Sequence, residues 1–354
     1  MTEKKLPENN VPPSTSQSRP GEAGAQRAGQ STSLSNLVAV YGLLVVFVLV
    51  MAVFGLLRPA SFLSVTNINA ILVSQSVTAM LALAEMVPLA TKQFDLSVGY
   101  HAGMAQVLII GLQVQLGLGW AESAVLILVL ALVAGIVNGL LVTWFRIDSF
   151  IATMGTGTLL YGVSNWFSNG EQIVGMDLPD SFTGLTQIWH GLPLPALYVA
   201  IIAVILWCVT EMLPVGRNLY VIGANVRAAE LTGIHVSRHV MGAFVASGVI
   251  SGFAGIVLGS ILQTGTPSVG PEYLLPAFAA TLLGATSIKP GRVNVAGTLL
   301  SVLVLAFSFS GVQQLGAPFY VQYFFNGGIL VVAVGLSVYA ARRRQRAAAG
   351  GNPR

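Results

Sequence analysis

The sequence predicts an all-α polytopic membrane protein of about ten transmembrane helices with both termini cytosolic. Three observations lead there. Of 354 residues, 54% are apolar and only 8% charged, whereas a water-facing surface needs about a quarter of its residues charged. The apolar residues fall into runs long enough to span ~30 Å of hydrocarbon as helices. Lysine and arginine collect between alternate runs, the pattern that insertion leaves on cytosolic segments.

Taken in order, residues 1–33 are rich in Pro, Ser, Gln, Gly and Ala. They have too little apolar surface to fold alone and are expected to form a disordered cytosolic tail. The run 37–57 starts too late and is too long for a signal peptide, so it is expected to stay as the first span. Further spans are expected at 67–90, 97–118, 122–145, 149–168 and 196–214. A polar interlude at 215–240 follows, then spans at 240–263, 273–288, 293–313 and 319–340. The membrane domain thus occupies 34–341, and a basic cytosolic tail covers 342–354.

With the amino terminus inside, sixteen of the seventeen Lys and Arg fall in cytosolic segments and only Arg58 falls outside. Glu122, Glu171, Asp177, Asp180 and Glu272 lie on the outer side. One miscounted helix would scramble this segregation.

The interlude carries three arginines, and Ala228, Ala229, Glu230 and Leu231 are expected to form a short helix that stops at Gly233. It has the make-up of a cytosolic docking loop for a soluble partner. Glycine pairs four apart, Gly99 with Gly103, Gly135 with Gly139, Gly248 with Gly252 and Gly255 with Gly259, fit close helix packing in lipid; a path lined by bare backbone is the sharper alternative. Pro88, Pro276 and the Gly155–Gly157 pair mark candidate unwound segments.

Glu85 lies inside the second span, where a carboxyl must face protein or water. It is a candidate path or proton-sensitive acid, and equally a structural one. Asn138, Tyr161, Asn165, Gln263 and Asn326 are further candidates for a translocation path, able to meet hydroxyls or stack, although such groups also serve as helix-to-helix hydrogen bonds. Asp95 is expected to pair with Lys92, and Asp95 or Ser97 to cap the third span.

No catalytic residue is proposed. The chain lacks a phosphate-binding Gly-x-x-x-x-Gly-Lys-Ser/Thr and a Gly-x-Ser-x-Gly elbow, so it should not hydrolyse ATP itself. His235 and His239 lack a nearby carboxylate ligand, so no metal site is expected. Cys208 sits alone in an apolar run, and the scattered cations form no nucleic-acid face.

Several motifs occur together in order: Asp95-Leu96-Ser97-Val98-Gly99, Asn138-Gly139-Leu140, Phe150-Ile151-Ala152-Thr153-Met154-Gly155-Thr156, Gly223-Ala224-Asn225 with Ala228-Ala229 and Gly233-Ile234, and Leu283-Gly284-Ala285-Thr286-Ser287 before Gly291-Arg292. In this order they resemble the permease subunit of ABC importers of the ribose, xylose and arabinose class. The resemblance implies a homodimer of ten-helix permeases, a cytosolic ABC ATPase that binds ATP and Mg, and a periplasmic or lipid-anchored sugar-binding protein. This chain itself would bind no cofactor. The resemblance also makes the interlude the ATPase-coupling loop. Within it, Arg227 and Glu230 would meet charges on the ATPase and Leu231 and Ile234 would fill an apolar groove, with Asn225, Ala228, Ala229 and Gly233 completing the contact. Two places depart from the family pattern: Lys92-Gln93-Phe94 replaces a common Gly-Gly-Ile, and Ile288-Lys289-Pro290 replaces a frequent Ser-Gly-Gly. The alternative from the residues alone is a proton-coupled secondary transporter working through Glu85.

Overall fold

The computed structural model describes residues 22–318, 320–324, 327, 328 and 331. Asn326, most of the expected span 319–340 and the tail 342–354 lie outside the described residues. By contacts the chain divides into two units, Met1–Val38 and Ala39–Arg354.

The helices are α1 (Glu22–Leu57), α2 (Val65–Ala90), α3 (Val98–Leu116), α4 (Trp120–Thr143), α5 (Ser149–Ser168), α6 (Asp180–Thr183), α7 (Leu194–Trp207), α8 (Pro214–Ala224), α9 (Val226–Leu231), α10 (Val236–Leu262), α11 (Val269–Glu272), α12 (Leu274–Gly284) and α13 (Val295–Gln314). A π turn, Cys208–Met212, prolongs α7. Two small antiparallel ribbons complete the fold. β1 (Ile173–Val174) pairs with β4 (Thr264–Gly265), and β2 (Ile188–Trp189) with β3 (Leu192–Pro193).

Six of the described helices are long and apolar enough to cross a membrane: Val40–Leu57 of α1, all of α2, α4, α10 and α13, and α7 with its π turn. α3 and α5 have 19 and 20 residues but carry more polar groups, while α12 has only 11. The chain is therefore a mostly helical, multi-span membrane protein, and each expected span from 37–57 to 293–313 coincides with a described helix.

α1 begins at Glu22, where helix-forming Glu, Ala, Gln and Arg residues lead into the apolar run. Two local expectations are corrected. Neither Pro88 nor the Gly155–Gly157 pair unwinds its helix: Pro88 sits in the last turn of α2, and α5 is continuous. Only near Pro276 is there a break, where Tyr273 separates α11 from α12 and the proline has no N–H to return to the preceding turn.

Short polar side chains start the helices. Ser64 Oγ accepts from Asn67 N at 3.2 Å, Asp148 Oδ1 from Phe150 N at 3.0 Å and Asn294 Oδ1 from Gly297 N at 2.8 Å, each satisfying an otherwise orphaned amide. The core is organised by α10, which packs against α2, α3 and α4. Glycine makes this possible. A Cβ on Gly135 would come within 2.8 Å of the Phe244 carbonyl, and one on Gly252 within 2.6 Å of the Ala131 Cβ. Gly255 and Gly259 sit as closely on Ala102 and Ile109 of α3. The two glycine pairs of α10 thus bring it against α4 and α3, which decides between the two alternatives in favour of packing, the main attraction left between helices in lipid.

Candidate functional site

The family motif builds a buried polar tie. α2 ends at Ala90, and residues 91–97 return at once into α3. In that return Asp95 Oδ1 accepts from Ser97 N at 3.0 Å and from the Ser97 hydroxyl, shaping the start of α3. Ser97 Oγ in turn accepts from Asn138 Nδ2 of α4 at 2.8 Å, and Asn138 Oδ1 accepts from Thr156 Oγ1 of α5 at 2.5 Å. Leu96 N donates to Thr153 Oγ1 at 3.0 Å and Phe94 N to Ser149 Oγ at 3.0 Å, so α5 caps the same return. Glu85 Oε1 accepts from Asp95 N at 3.3 Å. Gly99 keeps this corner compact, since a Cβ there would meet the Gly270 carbonyl at 2.9 Å.

This geometry corrects one expectation and decides between the alternatives of another. Asp95 does not pair with Lys92: the ion pairs among the described residues are Arg227–Glu230, Lys289–Glu211 and Arg292–Glu211. Ser97 occupies the cap position of α3 without a capping side-chain bond, and Asp95 supplies the carboxylate instead. Glu85 is 0% exposed, as is Asn138, and both belong to this tie.

The other path candidates do not converge with them. Tyr161 and Asn165 lie along the outward face of α5, with the Asn165 amide donating to the Tyr161 carbonyl at 2.8 Å. Gly155 and Gly162 on that face have nothing within 4 Å of a would-be Cβ, and Thr158 is exposed between them. Gln263 ends α10 in a left-handed conformation, its carbonyl accepting from Gly175 N at 3.0 Å. Clefts within the bundle lie around Gln75, between α2 and α13, and none of the candidates among the described residues lines them.

In the interlude, Asn225 is extended and its Oδ1 accepts from Ala228 N at 3.1 Å, starting α9. Gly233, at φ 81°, ends the turn, and Ile234 N reaches back to the Ala229 carbonyl at 3.0 Å. Ala229 is 0% exposed, packed with Ile222, Val240 and Phe244, and Ile234 lies against that cluster. Ala229 thus packs inward, and the half-buried Ile234 lies beside it. Leu231, 77% exposed, projects. Arg227 and Glu230 meet each other at 3.3 Å on the surface. His239 makes ring contacts to Asn218 and to the His235 carbonyl.

The residues alone did not single out a second cluster, around Glu211. Glu211 of the π turn binds Lys289 and Arg292, and the Arg292 guanidinium carbon lies 3.5 Å from the centre of the Tyr220 ring. Burial pushes the Tyr220 phenol above its usual range against the opposing pull of Arg292, so its hydroxyl stays a donor, to the Val293 carbonyl at 3.0 Å. Glu211 is visible in the sequence as an acid at the end of an apolar run, but nothing there names Lys289 and Arg292 as its partners.

Residues 67–334 match the model of a family described as branched-chain amino acid transport system, permease component. The chain belongs to this permease family. It is 33% identical to the ribose import permease protein RbsC of Bacillus subtilis over 81% of this chain and 89% of that protein. It is 30% identical to the D-allose transport system permease protein AlsC of Escherichia coli, over 84% and 90% respectively. The xylose transport system permease protein XylH of Haemophilus influenzae is 27% identical over 83% and 95%. No solved structure matches. The likeness to ABC-importer permeases carried by the ordered motifs therefore holds, and the protein is a transport subunit, not an enzyme.

Proposed function

We propose that this permease carries a monosaccharide, a ribose-like pentose or a related sugar, across the bacterial inner membrane. It works as two copies, each with ten spans and both termini cytosolic, driven by a separate ATPase that binds ATP and Mg and supplied by a periplasmic or lipid-anchored binding protein. One observation carries the cargo class: permeases named for ribose, D-allose and xylose transport align over four-fifths or more of this chain. The segregation of lysine and arginine supports the ten-span topology.

The sugar path runs along the outward face of α5, between the two copies. Gly155, Thr158, Tyr161, Gly162 and Asn165 make a small, polar stripe there, and polar groups are costly against lipid tails. A second copy and the water-filled path between them remove that cost. ATP-driven closure of the ATPase pushes on Leu231 and the Arg227–Glu230 pair and tilts α7 and α10, which switches the side to which the path opens.

Liposomes holding the permease, its ATPase and its binding protein test this with labelled ribose, xylose and allose. Uptake of one of them should require ATP and all three proteins. Accumulation by this chain alone under a proton gradient would refute the proposal.

A further inference from the structure

Glu211, Tyr220, Lys289 and Arg292 come from three segments and meet at one corner. Glu211 ends α7, Tyr220 lies within α8, and Lys289 and Arg292 belong to the turn between α12 and α13. One carboxylate serves both cations: its Oε2 lies 2.5 Å from Lys289 Nζ, and its Oε1 accepts from Arg292 Nη2 at 3.3 Å. Tyr220 holds the same turn from the other side, through its ring under Arg292 and its hydroxyl on the Val293 carbonyl.

That turn depends on outside support. Ile288 has φ 61° and Gly291 φ 87°, and a β-branched residue in the left-handed region persists only where its surroundings hold it. The turn also reaches α1, with Ile288 N and Ser287 Oγ each donating to the Val40 carbonyl at 3.2 Å. α8 is seated as firmly: Gly216 abuts the backbone of Val209 and Thr210, and Gly223 the Ala90 carbonyl at the end of α2. Through Asn225, α8 continues into α9 and the exposed Leu231.

The coupling loop is joined covalently to α7 and α10 but not to α12, α13 or α1. We infer that the Glu211–Lys289–Arg292 cluster with Tyr220 is a clamp that passes displacement of α8 to the α12–α13 turn and on to α1, so that one push on the loop moves both sets of helices. These are positioning residues, and their role rests on the proposal that the ATPase engages the loop. Charge-assisted contacts suit it, because they hold separate segments together by a few directional bonds that can re-form after a shift.

The test uses the permease reconstituted with its ATPase and binding protein. Glu211→Gln removes the shared charge, and Lys289→Met, at an exposed turn position, guards against a folding defect in the first variant. Both should assemble with the ATPase normally and hydrolyse ATP, while sugar moved per ATP falls about five-fold or more, the lower end of site-to-site coupling. Glu211→Asp should recover part of the loss. A staple with no part in transmission would instead lower thermal stability and yield with sugar per ATP unchanged, and that result, or full coupling in both variants, overturns the inference. Leu231→Asp separates the two proposals. If it leaves the ATPase bound, the loop contact is wrong; if it releases the ATPase while the clamp variants stay fully coupled, only the clamp is wrong.

Discussion

Asn138 Nδ2 donates to Ser97 Oγ at 2.8 Å, joining α4 to the residue that opens α3. The same Asn138 accepts from Thr156 of α5 at 2.5 Å, so one amide ties three helices. Asn138→Leu removes the donor to Ser97 and the acceptor of Thr156 in a site closed to solvent, where each stranded group costs about 1–3 kcal/mol. Thr156→Val should cost less, since it takes a partner only from the Asn138 side-chain oxygen and leaves the Asn138–Ser97 bond in place. Thermal unfolding in detergent should rank Asn138→Leu well below Thr156→Val and wild type, with the double variant less than additive. Equal stability of Asn138→Leu and wild type would contradict the tie.

The glycines of α4 and α5 should answer differently to the same change. Gly135→Ala drives a methyl to within 2.8 Å of the Phe244 carbonyl, where backbone must yield, so a cost of about 1–3 kcal/mol and lower membrane abundance are expected. Gly162→Leu meets nothing within 4 Å, so the purified single chain should keep its unfolding temperature. If the outward face of α5 meets a second copy, Gly162→Leu should nevertheless weaken dimer crosslinking and stop uptake. Intact dimers and normal uptake in that variant would move the interface elsewhere.

Apolar run length and the spacing of cations made the helical architecture legible, because bilayer thickness and insertion leave one-dimensional traces. The four-residue glycine spacing likewise foretold close packing, though not that Gly248 and Gly252 face α4 while Gly255 and Gly259 face α3, since a spacing does not name its partner. Glu85 and Asn138 were visible as costly intramembrane polar groups, but that they bond to the Asp95–Ser97 turn depends on α2, α4 and that turn meeting, contacts 10 to 41 residues apart in the chain. Ala229 looked like part of a contact surface because alanine carries no sign of burial by itself. The Glu211 cluster joins residues 81 apart, and no local pattern announces it.

Burial within the loop reverses the expectation for its alanine. Ala229→Arg forces a charged side chain into the packing of Ile222, Val240 and Phe244, so it should reduce permease abundance and loop protection in hydrogen exchange. Leu231→Asp, at an exposed site, should leave abundance and melting unchanged and abolish co-purification with the ATPase together with uptake. Loss of uptake with the ATPase still bound would exclude Leu231 as the contact.

Lys92 carries φ 60° in the return between α2 and α3, the place where this chain has Lys92-Gln93-Phe94 instead of the glycine-rich family pattern. A left-handed residue with a Cβ costs about 1–2 kcal/mol, and glycine adopts the conformation freely but loses about 0.5–1 kcal/mol through its more mobile unfolded chain. The exposed Lys92 side chain forms no ion pair with Asp95 to offset the difference. Lys92→Gly should therefore leave stability unchanged or raise it by up to about 1 kcal/mol, read as an equal or higher melting temperature in detergent. The buried bonds of Asp95, Ser97 and Asn138 set the shape of this return whichever residue stands at 92, so uptake should persist as well. A marked loss of stability in Lys92→Gly would mean that the lysine side chain itself anchors the turn.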